Sequence, residues 1–240
     1  MSATLPEFNR GAVRPMECLR AGKDLIKEQY WLFLGITVVG IFIGNAVPMG
    51  ILMGPMMCGI YLTLFARQRG EQVNFDLLFK GFDYFKESLI ATLIQIVPII
   101  VIMLPAYVIM FAFFIMMANR PRRGQPPDVF PLFAFMTVFV VVIMVISIAI
   151  GVFFAFTYPL IVDRGLSGMD AIKTSIKAAT ANLGGVLGLM LLMILISIVG
   201  ALFCYIGAIL VMPVHFAAWS IAYRQVFSNV GETPPAPPGF

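Results

Sequence analysis

Charge is what this sequence has least of. Asp, Glu, Lys and Arg make up 12% of its 240 residues, and apolar types 60%. A soluble domain carries about 25% and about 45–50%, respectively. A water-soluble fold of this length has no interior large enough for so much apolar surface, so hydrocarbon is the expected medium. Histidine occurs once and cysteine three times. That scarcity excludes the usual metal clusters. Cys18, Cys58 and Cys204 are far apart and form no CxxC, so they read as small buried side chains rather than a disulfide framework. GxSxG, HExxH and P-loop patterns are also missing. The expectation is a protein without enzyme activity, cofactor or metal. The formal charge is +4, but the basic residues flank apolar runs, so they read as signals for membrane orientation and not for nucleic acid.

The few charges divide the chain. Four stretches hold none: 29–66, 88–119, 129–162 and 178–223, which are 38, 32, 34 and 46 residues long. One crossing takes about 20 residues. The first and last stretches therefore predict helical hairpins, and the middle two predict one long helix each, giving six crossings. Gly44–Gly50, with Asn45 and Pro48 inside it, supplies the first reversal. The last reversal, around Gly200–Gly207, is weaker and leaves open a tight hairpin or one kinked helix. With six crossings, 13 Lys and Arg fall on one side and three (Arg120, Arg122, Arg123) on the other. The positive-inside rule then puts both termini in the cytoplasm. No cleavable signal peptide is expected, because the first apolar run is too long.

Three segments ahead of long apolar runs resemble one another. Glu17–Glu28 and Asp76–Glu87 match without gaps at Gly22 and Gly81, Asp24 and Asp83, Lys27 and Lys86, and Glu28 and Glu87. Asp170–Ala181 shares the opening acid, and has Ser175 at the glycine position. The fold class read from this is all-α: an integral membrane six-helix bundle of three parallel repeats. Each repeat is an amphipathic interfacial helix followed by a transmembrane hairpin. The organisation would be a cytoplasmic segment 1–29, a six-span domain 30–227 and a Pro-rich cytoplasmic tail 228–240. The second and third interfacial helices fall near 74–87 and 168–181, and the outer loop at 119–129. Leu77, Leu78, Phe82 and Phe85 are the expected apolar side of the second interfacial helix, and Ser167 the expected N-cap of the third.

Candidate functional residues are few. Gly40 and Gly44, Gly50 and Gly54, Ser147 and Gly151, and Gly184 and Gly188 are small residues four apart, suited to close helix packing in lipid. Gln95 and His215 are the candidates for polar groups at mid-membrane, and no span interior holds an acid or a base. Trp31 and the pairs Tyr61 with Arg67, Tyr158 with Arg164, and Trp219 with Arg224 read as interface anchors. Pro98, Pro105 and Pro213 interrupt backbone bonding within their spans.

Two blocks carry a family resemblance: Gly54–Leu62 continuing into Arg69–Phe82, and Leu160–Ser175 leading to Asn182. They resemble uncharacterised bacterial inner-membrane proteins related to the membrane domain fused to some glycerophosphoryl diester phosphodiesterases. The resemblance implies a bacterial plasma membrane and transfers no active site. The expected function is a scaffold or accessory subunit of a membrane complex. Its partners would be the bilayer and other subunits, bound through the tails and small-residue helix faces. The alternative is a carrier or channel for a small or lipid-like solute.

Overall fold

A backbone surrounded by hydrocarbon must satisfy its amides within its own segment, and for long apolar runs the local solution is the α-helix. The computed structural model describes residues 6–118, 130–202 and 206–227. Among these it has ten α-helices and no strand. They are α1 Pro15–Ile26, α2 Tyr30–Ala46, α3 Met53–Gln68, α4 Asp76–Phe79, α5 Phe85–Ala118, α6 Phe130–Phe153, α7 Thr157–Arg164, α8 Gly168–Ala181, α9 Leu183–Leu202 and α10 Ile206–Val226. Five continuous helical stretches are long and apolar enough to cross a membrane: Pro15–Ala46, Asp76–Met116, Phe133–Arg164, Leu183–Leu202 and Ile206–Val226. The predicted loop 119–129 and tail 228–240 lie outside the described residues, as does Cys204.

The first hairpin turns where the sequence places it, through a 3-10 turn at Pro48–Gly50. Gly50 has φ +64°, a conformation that costs an L residue about 1 kcal/mol or more. The turn therefore requires glycine at this position. α3 has 16 residues, about 24 Å. The last reversal is a hairpin: α9 ends at Leu202 and α10 begins at Ile206. The two helices cross at Gly200 and Gly207, where a Cβ on Gly207 would lie 2.4 Å from the Gly200 carbonyl oxygen.

The described residues fall into two compact units. Ile94–Gly151 forms one, and the residues up to Leu93 and from Val152 form the other. The smaller unit comprises the later part of α5, running through Pro98 and Pro105, and most of α6. Its large side chains are mainly exposed, Phe111, Phe114, Phe133 and Val138 among them. That is how helices sit when lipid is their solvent.

The larger unit is held by contacts between the short helices and the ends of the long ones. α1 buries Cys18, Gly22 and Ile26, four residues apart on one face. A Cβ on Gly22 would lie 2.6 Å from the Ala218 nitrogen of α10. The second predicted interfacial helix is shorter than expected: α4 passes into a 3-10 stretch, Lys80–Tyr84, and then into α5. Its buried side is Leu78, Gly81 and Tyr84, while Phe82 is exposed. The side packed against protein shares only Leu78 with the expected apolar side Leu77, Leu78, Phe82 and Phe85. The reason is the close approach to α3, where a Cβ on Gly81 would lie 2.0 Å from the Pro55 carbonyl oxygen. Only a side centred on glycine fits there. α8 starts at Ser167, whose hydroxyl accepts from the Asp170 amide at 3.2 Å. Ser175 then serves the break between α6 and α7. Its hydroxyl accepts from the Phe156 amide (3.1 Å) and donates to the Phe153 carbonyl (2.8 Å), satisfying backbone groups that an interrupted helix leaves open.

Candidate functional site: an ion cluster joining three helix ends

α3, α7 and α10 each carry an arginine in the last turn, Arg67, Arg164 and Arg224, and the fold brings those ends together. Gly165, at φ +59°, ends α7 in the left-handed conformation. Asp163 is therefore in the last turn of α7, buried against α10. Its carboxylate accepts from the Tyr223 hydroxyl at 2.7 Å and pairs with Arg224 at 2.9 Å. Arg164 adds a contact at 3.4 Å. Among the described residues Asp163 is the one buried charged group. Such a group is tolerated when charge and hydrogen bonding are both supplied.

Arg224 is the hub. Its Nε donates to Gln68 Oε1 of α3 at 3.0 Å, and its guanidinium lies 4.5 Å from the Phe65 ring centroid. Gln68 in turn donates to the Ser220 hydroxyl at 2.9 Å. Planar stacking and forked donation are both arginine properties, and lysine lacks them. Around the cluster Phe65, Phe156, Tyr223 and Phe227 pack with ring centroids 5.0–6.4 Å apart. Nearby, Arg67 donates to the Leu25 carbonyl at 3.2 Å and pairs with Glu28, tying α3 to α1. The arrangement ties the three helix ends together: the carboxylate is held by Tyr223, Arg224 and Arg164, and Arg224 by Gln68. Among the described residues no three His, Cys, Asp or Glu side chains gather in a metal-binding group.

A second device holds the N-terminal segment. Asn182, the C-cap of α8, accepts from the Ala12 amide at 2.8 Å and donates to the Asn9 carbonyl at 2.9 Å. Gln225 accepts from the Arg14 amide at 3.0 Å. The Asn9 amide donates to the Val226 carbonyl at 2.8 Å. Val13 is buried over Gly185, where a Cβ would come within 2.4 Å of the Val13 carbonyl oxygen. Residues 9–14 therefore form a clasp across α8, α9 and α10. Sequence reading missed it, because Asn182 and Gln225 are ordinary polar residues whose partners are 170 or more positions away. The Gly185 contact with Val13 was missed for the same reason.

The predicted site residues divide. Cβ atoms on Gly40 and Gly44 would meet Ile60, Leu78 and Met53 at 3.1–3.2 Å, and one on Gly54 would lie 2.6 Å from the Ser88 carbonyl oxygen. Gly188 faces Pro15 at 3.0 Å. Gly184 has nothing within 4 Å, so the expected seam does not include it, and Ser147 is exposed. Gly151 belongs to the smaller unit. Gln95 is half-buried in α5. His215 Nε2 accepts from the Trp219 indole at 3.1 Å, one turn away. Trp31 is 75% exposed. Tyr61, Tyr158 and Trp219 are instead buried, a correction of their expected anchoring role. The cause is internal partners: Phe216 for Tyr61, the Thr92 hydroxyl at 3.0 Å for Tyr158, and His215 for Trp219. Arg67, Arg164 and Arg224 are likewise engaged in ion pairs within the fold. The smaller unit also holds an apolar cleft of about 660 Å³ lined by Leu104, Tyr107, Phe111, Phe114 and Met136, among others.

No protein-family profile and no solved structure matches the chain. An uncharacterised protein of Mycobacterium bovis is 34% identical over 85 residues, covering 32% of this chain and 26% of its own length. Uncharacterised proteins of two Mycobacterium tuberculosis strains match with the same figures. The similarity thus spans about a quarter of these bacterial relatives, whose names state no activity.

Proposed function

We propose that the chain is a six-span protein of the bacterial inner membrane, with both ends cytoplasmic, that serves as a non-enzymatic scaffold or accessory subunit of a membrane complex. The observation that carries this reading is the engagement of Asp163 by groups of the fold itself. A carrier or channel needs polar groups free to exchange partners with a solute. Here the buried carboxylate is occupied by Tyr223 and Arg224, and His215 is bonded to Trp219. The resulting block of helix ends is suited to holding neighbours in place.

Three parallel repeats are part of the reading. Their support is the shared position of Gly22, Gly81 and Ser175 in the aligned segments, each set against a different long helix or helix break: α10, α3 and the α6–α7 junction. The shorter crossing, α3, is largely buried by protein, so its backbone needs less hydrocarbon thickness than a lipid-exposed helix would.

Purification of the tagged chain from its native membrane in mild detergent tests the scaffold. Stoichiometric co-purifying subunits, lost when 232–240 are deleted, are expected. Solute flux by the protein alone in proteoliposomes, abolished by Gln95→Ala or His215→Ala, would replace the scaffold with the carrier.

A further inference from the structure

We propose that the outer face of α8 is a docking surface for anionic lipid headgroups. Met169 and Ile176 are spaced by seven residues, two helical turns, and so line one stripe of α8, and Leu183 is the first residue of α9. They are 45%, 37% and 44% exposed. Lys173, Lys177 and Thr180 lie between them and are also exposed. Large apolar side chains interleaved with lysine fit the boundary between headgroups and acyl chains, where the stem lies on apolar surface and the ammonium reaches phosphate.

At the two ends of α1 the basic groups are paired: Arg14 with Glu17 at 3.0 Å and Lys27 with Asp24 at 3.5 Å. Among the described residues neither Lys173 nor Lys177 has an ion-pair partner. The one acid on α8, Asp170, is engaged by the Ser167 hydroxyl at 2.8 Å, beside the helix start. Two exposed ammonium groups therefore remain on this face, with Asp170 at its start as the one acid of the helix. Chain continuity supplies the location: only Asn182 separates α8 from α9, a helix long and apolar enough to cross a membrane. The last turn of α8 thus lies where that span enters the bilayer.

The test uses the full chain in neutral detergent, with native mass spectrometry of bound phosphatidylglycerol against phosphatidylcholine. Wild type is expected to prefer phosphatidylglycerol. Lysines near an anionic surface each favour binding by about fivefold, so Lys173→Gln should weaken the preference about fivefold and the Lys173→Gln/Lys177→Gln pair roughly 30-fold. Lys27→Gln, whose lysine is already paired, should leave it within about twofold. Equal retention by wild type and the double variant overturns the proposal, as does an equal loss in Lys27→Gln. Competition by soluble glycerol phosphate would also overturn it, by assigning the lysines to a free phosphate. If light scattering shows that the double variant instead loses self-association, the face belongs to a second copy of the chain and the proposal fails.

Discussion

Arg224 and Asp163, 61 positions apart in the chain, form a 2.9 Å ion pair that joins the last turns of α10 and α7. Through Gln68 the same arginine reaches α3, so one guanidinium connects three helix ends. Removing one member of a buried pair leaves the other uncompensated, at a cost of about 3–5 kcal/mol. Arg224→Ala should lower thermal stability in detergent by that order. Arg224→Lys should recover only part of it, because lysine cannot donate to Asp163 and Gln68 in the same forked geometry. Asp163→Asn/Arg224→Gln should cost less than the sum of its single variants. Additive losses in thermal unfolding would show that the pair is not coupled.

The clasp gives a prediction with a protease readout. Asn182→Ala removes the bonds to the Ala12 amide and the Asn9 carbonyl, leaving two backbone groups to find other partners. At about 1 kcal/mol each, segment opening should rise roughly 10-fold or more. Trypsin should then cut after Arg10 correspondingly faster in the folded protein. Unchanged cleavage would mean that Val13 and the backbone bond to Val226 hold the segment by themselves.

Glycine positions separate packing from open space, with opposite signs. Gly81→Val places a branched side chain where even a Cβ would lie 2.0 Å from the Pro55 carbonyl oxygen. Loss of several kcal/mol, or failure to fold, is expected. Gly184→Ala meets nothing within 4 Å. It should be neutral or stabilise by up to about 1 kcal/mol through helix propensity. Detergent thermal melts of the two variants check both expectations, and a destabilising Gly184→Ala would place that face against a partner.

Much of the backbone plan was legible in the sequence. Charge-free stretches marked the long helices, and the Gly44–Gly50 cluster marked the first turn, because both signals are local. The likeness of Gly22, Gly81 and Ser175 was visible in the sequence, but the close approaches at Gly22 and Gly81 and the hydrogen bonds of Ser175 were not. Both depend on which helix lies opposite. The site was hardly legible for the same reason. Asp163 and Tyr223 look like loop and interface residues until folding sets them 2.7 Å apart. The aromatics misled: tyrosine near a span end suits a headgroup belt, yet Tyr61 and Tyr158 found neighbours inside the bundle. Propensity for an interface yields when a hydroxyl or ring has a protein partner.

Topology tests the central claim most directly. A reporter that folds only where disulfides form should be active when inserted near residue 124, between α5 and α6. It should be inactive when fused before α1 or after residue 240, and a fluorescent cytoplasmic reporter should give the converse pattern. Activity at one terminus and not at the other would contradict a six-span chain with both ends on the same side.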